Sequence, residues 1–339
     1  MIFSKNPVNK FLETAYKKAK SNPQMIVFPE ADIHDKTLRA VIQIAKQKLA
    51  YPILLGDPKS LTQKIKDING RIPDTIDLHD YSENNPQKQY YLEKLLELRK
   101  EKGLTREEAK QKLDSIHYYG TMMLHEKHAQ GLISGATCAT SETVRPAFEI
   151  IKSKDKFHKV SGFFFMLLNE ETYLFADCAI NINPTAEELA QIGIDTANTA
   201  LRFGLDPKVA FLSFSTNGSS NAPEAVKVRE ATQIAQRLAP NLLIEGEMQV
   251  DAALVPEIAK SKFSNSKIKG RANVLVFPDL SSGNIAYKLT ERLSKAKAIG
   301  PILQGLNQPV NDLSRGCSIQ DIVDLAAITS VEAQEDTYL

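Results

Sequence analysis

Short runs of β-branched and aromatic residues alternate with stretches of helical periodicity over most of the chain. The runs that predict strands are MIVFPEA (25–31), YPILLG (51–56), GLISGA (131–136), KVAFLSFS (208–215), NLLIEG (241–246) and ANVLVFPDL (272–280). The helical patterns between them lie at 35–48, 187–202, 223–238 and 283–297. Such alternation is typical of α/β layers around parallel sheets.

Two segments depart from this alternation. Only residues 169–171 separate VSGFFFMLL from TYLFADCAI, which leaves room for a hairpin and none for a crossover helix. We therefore expect an antiparallel pair and a mixed sheet in the second half of the chain. Residues 84–128 are rich in Lys, Glu and Gln and predict two solvated helices, the second with Thr105 and Glu108 as a capping box.

Length and charge exclude several classes of protein. A chain of 339 residues is too long for one ordinary core and predicts two domains, with a joint just after RPAFEIIKSKDKF (145–157). The 42 Lys and Arg residues balance 41 Asp and Glu residues, so no basic field exists to bind nucleic acid or an anionic membrane. An anionic ligand must therefore be bound by local arginines or helix ends.

Cysteine usage and hydropathy predict a soluble cytoplasmic protein. The three cysteines are widely spaced with no CxxC pair, which excludes a disulfide framework and a zinc ribbon and fits a reducing compartment. No apolar run is long enough to cross a bilayer. The N-terminal segment MIFSKNPVNKFLETAYKKAK lacks the apolar core of a signal peptide and predicts an amphipathic surface helix.

Two loops after predicted strands have the composition of anion sites. TCATSETVRP follows 131–136 and opens a helix whose first turn is expected to contain Pro146, with Arg145 adding a bidentate fork. A plain turn with polar caps is the alternative. STNGSSNAP (215–223) has Gly218 for close backbone approach, but it lacks the Lys of a P-loop and the glycines of a dinucleotide fingerprint.

Two segments combine histidine with acidic residues and are candidates for metal ligands. HEKH (125–128) is not the HExxH of a zinc protease, and DIHD (32–35) has no further ligand pattern. We interpret both as solvated polar faces and predict no metal.

The segment QPVNDLSRGCSIQDIV (308–323) permits two interpretations. Ser318 and Asp321 fit a capping box for the apolar helix that follows. This interpretation leaves Ser314 and Arg315 unexplained, a hydroxyl and a guanidinium directly ahead of a helix N-terminus. The segment could therefore be a cap, a catalytic centre, or both.

Six blocks of the sequence resemble the phosphate acetyltransferase family. They are SGATCATSETVRPAFEIIK, LFADCAININPTAEELA, PKVAFLSFSTNGS, GEMQVDAALVPEIA, ANVLVFPDLSSGNIAYKL and GPILQGLNQPVNDLSRGCSIQDIV. The resemblance runs in order from about residue 25 to the end. It implies a fold like that of the isocitrate and isopropylmalate dehydrogenases, with two α/β domains, a cleft between them and a homodimer. Domain I would comprise 1–156 with 302–339, and domain II, with the mixed sheet and the dimer contact, 157–301.

The resemblance also implies an activity and a set of site residues. The reaction is reversible transfer of an acetyl group between coenzyme A and inorganic phosphate, with acetyl phosphate as the other partner and coenzyme A as a co-substrate rather than a tightly bound cofactor. Ser314, Arg315 and Asp321 match the catalytic residues, and Arg99 and Arg145 match the coenzyme-A-binding arginines. Further expected substrate-binding residues are Ser134, Thr143, Thr216, Gly218, Asn284 and Lys288. The chain departs from the family at Cys138 and Glu142, where His and Asp are usual. Longer relatives carry an N-terminal regulatory domain, and this chain is expected to be the short form.

The mechanism and the nearest alternatives follow from the same residues. Direct attack by the coenzyme's thiolate in a ternary complex is favoured over an acetyl-serine at Ser314, because all six histidines lie at or before His158. A phosphate butyryltransferase is the nearest alternative, since sequence cannot size the acyl pocket. A non-catalytic acyl-CoA-sensing module also stays open. A dehydrogenase of the same fold would need a nucleotide fingerprint or a set of metal-binding carboxylates.

Overall fold

The computed structural model describes residues 10–153 and 159–335, which form two compact units. Unit I takes residues 12–153 together with 306–335. Unit II takes residues 159–305 together with Lys10 and Phe11. The joint expected just after 145–157 begins at residue 158, the last of residues 154–158, which lie outside the described residues.

Strands and helices alternate along the chain. The strands are β1 (Gln24–Phe28), β2 (Ala50–Leu55), β3 (Asp77–His79), β4 (Gly131–Ser134), β5 (Ser161–Leu168), β6 (Glu171–Ala176), β7 (Lys208–Leu212), β8 (Leu243–Met248), β9 (Val274–Val276), β10 (Lys297–Gln304) and β11 (Val310–Asp312). The helices are α1 (Lys10–Ser21), α2 (Asp35–Gln47), α3 (Pro58–Asn69), α4 (Pro86–Leu98), α5 (Arg106–Leu113), α6 (Ile116–His125), α7 (Thr140–Pro146), α8 (Ala186–Arg202), α9 (Pro223–Leu238), α10 (Val250–Leu254), α11 (Pro256–Lys262), α12 (Leu280–Ser294) and α13 (Ile319–Glu335). Short 3-10 turns cover Pro29–Ala31 and Lys100–Lys102, and a π-helical turn covers Ala147–Ile151.

The sheet of unit I is parallel throughout. Its strands lie in the order β3-β2-β1-β4-β11, and every neighbouring pair is parallel. Strand β4 is buried along its whole length, and α2 and α13 pack against each other and against this sheet. Because the strands are parallel, their carboxyl ends lie at one edge, where active sites of such sheets usually form.

The sheet of unit II is mixed, as the sequence predicted. Its order is β10-β5-β6-β9-β7-β8. The β5–β6 hairpin is antiparallel, β10 pairs antiparallel with β5, and the remaining pairs are parallel. Phe164, Met166 and Phe175 lie in the core between this sheet and its helices.

The region 84–128 differs from the expectation of two solvated helices. It contains α4, α5 and α6, and α6 is buried from His117 to Leu124. Gly120 permits this burial, because a Cβ there would lie 3.1–3.3 Å from side chains of Leu132, Val27 and Pro29. The capping box of Thr105 and Glu108 is confirmed at the start of α5.

The sequence pattern did not predict strands β3, β10 and β11, and the structure shows why. The three residues of β3 are polar or partly exposed. The apolar pattern of β10 is interrupted by Gly300 and Pro301, where its pairing with β5 shifts register. β11 contains Asn311 and Asp312, which are buried although polar.

Helix α1 is amphipathic over residues 10–21, with Phe11, Ala15 and Ala19 buried at helical spacing. The rest of the predicted N-terminal helix lies outside the described residues. Within the described part of the chain, no helix combines the length and apolar character needed to cross a membrane.

Candidate active site

Three neighbouring strands of unit I end together at the carboxyl edge of its sheet. β4 pairs with β1 on one side and with β11 on the other, and Ser134 lies opposite Asp312 in register. The backbone N–H of Leu313 continues this ladder by donating to the carbonyl of Ser134 at 2.7 Å. The segment that carries Ser314 and Arg315 therefore leaves the sheet beside the loop that follows Ser134.

A buried carboxylate fixes the loop after β4. Glu30, in the turn after β1, accepts hydrogen bonds from the backbone N–H of Ala136 and Thr137, each at 2.9 Å, and from the Thr137 hydroxyl at 2.6 Å. Gly135 has a φ of +106°, and a Cβ there would lie 2.1 Å from Asp312 Oδ1. The conformation of the loop after β4 is therefore restricted by its hydrogen bonds to Glu30 and by the close approach of Asp312 on β11.

Helix α7 begins earlier, relative to Pro146, than the helix predicted after the TCATSETVRP loop. It begins at Thr140, so Pro146 is its last residue and does not lie in the first turn. A π-helical turn follows directly, since proline has no N–H to continue the regular hydrogen-bond ladder. Arg145 therefore lies near the C-terminal end of α7, away from its N-terminus.

The hydroxyls of Ser134 and Thr143 face the interior of unit I. Their residues are 0% and 1% exposed. Ser134 Oγ lies 2.9 Å from His117 Nδ1, and Thr143 Oγ1 lies 3.8 Å from Cys138 Sγ. Burial lowers the pKa of His117, so its ring is neutral near pH 7. The expected contact of both hydroxyls with substrate stays a prediction.

The two arginines expected to bind coenzyme A line one cavity. Arg99 ends α4 and Arg145 lies on α7, and both border an open cavity of about 650 Å³ together with Lys102 and Lys112. Lys112 is paired with Glu149 at 2.9 Å, whereas Arg145 has no ion-pair partner among the described residues. A smaller hollow of about 230 Å³ shares Arg145 and extends to Ser141 and Glu142. We call the larger cavity, bordered by Arg99 and Arg145, the groove. Its cationic side chains allow it to accept an anionic ligand.

The capping box at the start of α13 is confirmed. Asp321 Oδ2 accepts from the Ser318 N–H at 2.9 Å and from its hydroxyl at 2.8 Å, and the Asp321 N–H donates to Ser318 Oγ at 3.1 Å. Ser314 and Arg315 are exposed just ahead of it. The described histidines make no hydrogen bond to Ser314, whose Oγ accepts from the Gly316 N–H at 3.3 Å. His158 lies outside the described residues.

Asp312 is a further carboxyl group at this edge. It is buried, its Oδ2 accepts from the Thr140 hydroxyl at 2.7 Å, and its Oδ1 accepts no hydrogen bond within the described chain. Burial, with a contribution from the charge of Glu30, raises the pKa of Asp312 to about 6. The sequence contained no signal for this environment beyond the position of Asp312 in the polar segment.

The loop after β7 in unit II uses its donors internally. The buried carboxylate of Glu247 accepts from the Gly218 N–H at 2.9 Å and from the Ser215 hydroxyl at 2.8 Å. Arg229 pairs with the same carboxylate through two hydrogen bonds of 3.0 Å, and Thr216 Oγ1 accepts from the Gln249 N–H. A carboxylate of the protein thus takes the donors that the composition suggested for an external anion. The substrate contacts expected of Thr216 and Gly218 stay predictions.

Asn284 and Lys288 lie one turn apart on α12 in unit II. Asn284 Nδ2 donates to the carbonyl of Cys178 at 3.1 Å, and Lys288 Nζ lies 5.7 Å from the ring centroid of Tyr287. Gly283 lets α12 lie close to the end of β6. A Cβ at Gly283 would lie 2.2 Å from the carbonyl oxygen of Asp177, which follows that strand. Their expected role toward substrate stays a prediction.

The two segments rejected as metal ligands have other partners. His125 Nδ1 lies 2.9 Å from Glu126, His128 Nδ1 lies 2.6 Å from the Tyr91 hydroxyl, and Asp32 pairs with Lys64 at 2.6 Å. A different group comes together instead. Glu30, His117 and Cys138 each offer one ligand atom, and these atoms lie within 4.8 Å of one another.

Comparison with known proteins adds independent information. The family described as phosphate acetyl/butaryl transferase matches residues 10–330. The phosphate acetyltransferase of Bacillus subtilis is 46% identical over 322 residues, which cover 94% of this chain and 98% of that protein. A phosphotransacetylase crystal structure from Streptococcus pyogenes aligns with a TM-score of 0.91 at 44% identity, covering 97% of this chain and 99% of that one.

A more distant structure bears on the fold alone. A structure described as a 4-hydroxythreonine-4-phosphate dehydrogenase from Salmonella typhimurium aligns with a TM-score of 0.51 at 11% identity, covering 92% of this chain and 97% of that one. The α/β fold class expected from the sequence, with its likeness to dehydrogenases, is confirmed.

The buried Asp312 predicts a pH dependence of stability. Its pKa of about 6 in the folded protein lies above the value of about 3.9 for an exposed aspartate. The folded state therefore keeps a proton that the unfolded state loses, so this group contributes stability below about pH 4 that disappears as the pH rises through about 6. As the pH rises from 4.5 to 7, we expect the melting temperature of the wild type to fall by about 2–4 °C relative to that of the Asp312→Asn variant. Scanning calorimetry of both proteins measures this difference, and a gap that does not change with pH would contradict it.

Proposed function

The chain belongs to the phosphate acetyl/butaryl transferase family, and from this premise we propose that it is a phosphate acetyltransferase that transfers an acetyl group reversibly between acetyl-CoA and inorganic phosphate. The supporting observation is the match over nearly the whole chain to relatives of about 45% identity that carry this activity. These relatives do not favour the butyryl-transferring or the non-catalytic alternative. Acetyl phosphate and coenzyme A are the other two reactants.

We assign coenzyme A to the groove between Arg99 and Arg145. The coenzyme is polyanionic while the protein has a formal net charge of only +1, so local cations must supply the attraction. Both guanidiniums border the same cavity of about 650 Å³. Guanidinium groups bind phosphates through two parallel hydrogen bonds, which favours arginine for this role.

The transfer requires a deprotonated thiol. In the direction of acetyl-CoA synthesis, the sulfur attacks the acetyl carbonyl, a C–S bond forms, and the C–O bond breaks so that phosphate leaves with its electron pair. A thiol titrates near 8.5 and an ordinary aspartate near 3.9, so complete proton transfer before attack costs roughly 6 kcal/mol. Proton transfer concerted with attack avoids most of this cost.

We assign this proton transfer to Asp321, and stabilisation of charge to its neighbours. Arg315 is exposed and has no ion-pair partner among the described residues, so its charge is available for the phosphoryl group or the developing oxyanion. Ser314 lies beside it and can donate a hydrogen bond to the same group. Asp321 also caps α13.

A ternary complex without an acetyl-serine fits these contacts better than the covalent route. A serine nucleophile needs an adjacent base, and the described histidines are not bonded to Ser314. His117 is bonded to the buried Ser134 instead. We therefore propose direct transfer between the bound substrates.

We further propose a cytoplasmic homodimer without a tightly bound cofactor. Unit II presents a row of exposed apolar residues on α12, with Ile285, Leu289 and Leu293 at 56%, 52% and 81% exposure. Their spacing places them on one face of the helix, which suits a contact with a second copy. This face differs from the one with Asn284 and Lys288.

A direct assay tests the activity. Purified protein with coenzyme A and an acyl phosphate series from acetyl to butyryl should release phosphate and form the thioester, with the highest kcat/KM for acetyl phosphate. One methylene in an acyl pocket changes the free energy of the transition state by about 1–3 kcal/mol, which the series resolves. A maximum at butyryl phosphate would favour the butyryltransferase, and no thioester with any member would contradict the proposal.

Arg99→Ala should raise the KM for coenzyme A at least tenfold, since it removes one of the two guanidiniums of the groove. Added salt should reduce the difference from wild type, because screening weakens the charge contribution. Arg106→Ala is a matched control, because Arg106 pairs with Glu93 and does not line the cavity. Equal KM values for both variants would show that the assignment of Arg99 is wrong.

Asp321→Asn separates the two roles of this residue. Asparagine keeps an acceptor for the cap, so the variant should lose less than about 1 kcal/mol of stability, while kcat should fall by roughly 10²–10⁴-fold through loss of the base. Glu188→Gln makes the same change in the capping box of α8, among residues that do not line the groove, and should leave kcat unaltered. An Asp321→Asn protein with near-normal kcat would return the residue to capping alone.

A further inference from the structure

We propose that Glu30, His117 and Cys138 form a binding site for a divalent metal ion that accepts thiolate ligands, such as Zn²⁺. The three ligand atoms are a carboxylate oxygen, an imidazole nitrogen and a thiol sulfur, and all lie within 4.8 Å of one another. These are the donor types that zinc prefers in proteins. The inference concerns unit I alone and does not rest on acetyl transfer.

The distances are close to those of a formed site. Zinc bonds of about 2.0–2.3 Å in tetrahedral geometry separate ligand atoms by roughly 3.3–3.7 Å. Ligand atoms already within 4.8 Å reach this separation by small side-chain rotations. Glu30 and His117 are buried and Cys138 is half-buried, so three protein ligands would leave a fourth position for water.

Two of the three ligands are oriented by a partner behind them, as in known metal centres. The backbone N–H groups of Ala136 and Thr137 hold the Glu30 carboxylate. Ser134 Oγ lies 2.9 Å from His117 Nδ1, so the tautomer with its proton on Nδ1 donates to Ser134 and leaves the Nε2 lone pair for the metal.

The electrostatic environment of the cluster favours a cation. The carboxylates of Glu30, Glu142 and Asp312 place negative charge around Cys138. A divalent ion would balance the carboxylates and release the thiol proton to solvent.

The sequence contains no spacing that indicates this site. The ligands come from the turn after β1, the first turn of α6 and the loop after β4, more than twenty residues apart in each case. His117 and Cys138 come together because α6 packs against β4 through Gly120.

Cobalt titration tests the proposal. The full-length protein is stripped with EDTA, kept reduced with a phosphine and titrated with Co²⁺, whose thiolate complexes absorb in the near ultraviolet through sulfur-to-metal charge transfer. We expect one equivalent of saturable binding with this band. Cys138→Ser should lose the band and Cys317→Ser should retain it. His117→Asn, which removes a metal ligand, should weaken binding at least tenfold.

A second measurement covers the case in which Cys138→Ser fails to fold. In the unsubstituted protein, Zn²⁺ should slow alkylation of Cys138 by iodoacetamide at least tenfold, as read from the modified peptide by mass spectrometry. Absence of the charge-transfer band in the folded wild type would overturn the proposal. So would a band that survives Cys138→Ser and disappears in Cys317→Ser, since Cys317 would then be the ligand.

Discussion

Unit I depends on the parallel pairing of β11 with β4. Only three residue pairs form this ladder, from Val310 opposite Leu132 to Asp312 opposite Ser134. It nevertheless determines where the polar segment after β11 leaves the sheet. Because both strands end at the same edge, Ser314 follows directly beside the loop that leads to α7. Without this pairing, the residues proposed for catalysis would have no fixed relation to the groove that contains Arg145.

Carboxylates of the protein organise the loops at which we expected external anions. Glu30 accepts from two backbone N–H groups of the loop after β4, and Glu247 accepts from Gly218 in the loop after β7. Asp321 does the same for Ser318. Loops of small and hydroxyl residues expose N–H groups, and a buried carboxylate satisfies them at a defined geometry. The same composition therefore describes an anion site and an internally satisfied loop, and only the fold distinguishes them.

Much of the fold could be predicted from periodicity. The helices near 187–202 and 223–238 and the β5–β6 hairpin follow from local pattern, because each buries one face that the sequence makes apolar. β11 could not be predicted in this way, since its buried Asn311 and Asp312 are polar and are accommodated only by tertiary contacts.

The candidate site likewise combines features that local sequence predicts with features that depend on tertiary contacts. The capping box of Ser318 and Asp321 is local and was predicted, whereas the environments of Glu30, His117 and Asp312 depend on contacts between residues far apart in sequence. Ser134 and Thr143 are also buried, which their local sequence does not indicate, and their expected contact with substrate stays a prediction. Local motifs are thus reliable for helix ends and poor for the burial of polar groups.

The divided course of unit I has a consequence for synthesis of the protein. Thr140 and its hydrogen-bond partner Asp312 lie 172 residues apart. Translation at about 5–20 residues per second separates their emergence from the ribosome by roughly ten to thirty seconds. During that interval the β4 edge lacks its neighbour and exposes unpaired backbone groups while all of unit II is made. Nascent chains therefore pass through a stage in which residues 159–305 have been made while β11, which completes the sheet of unit I, is still missing.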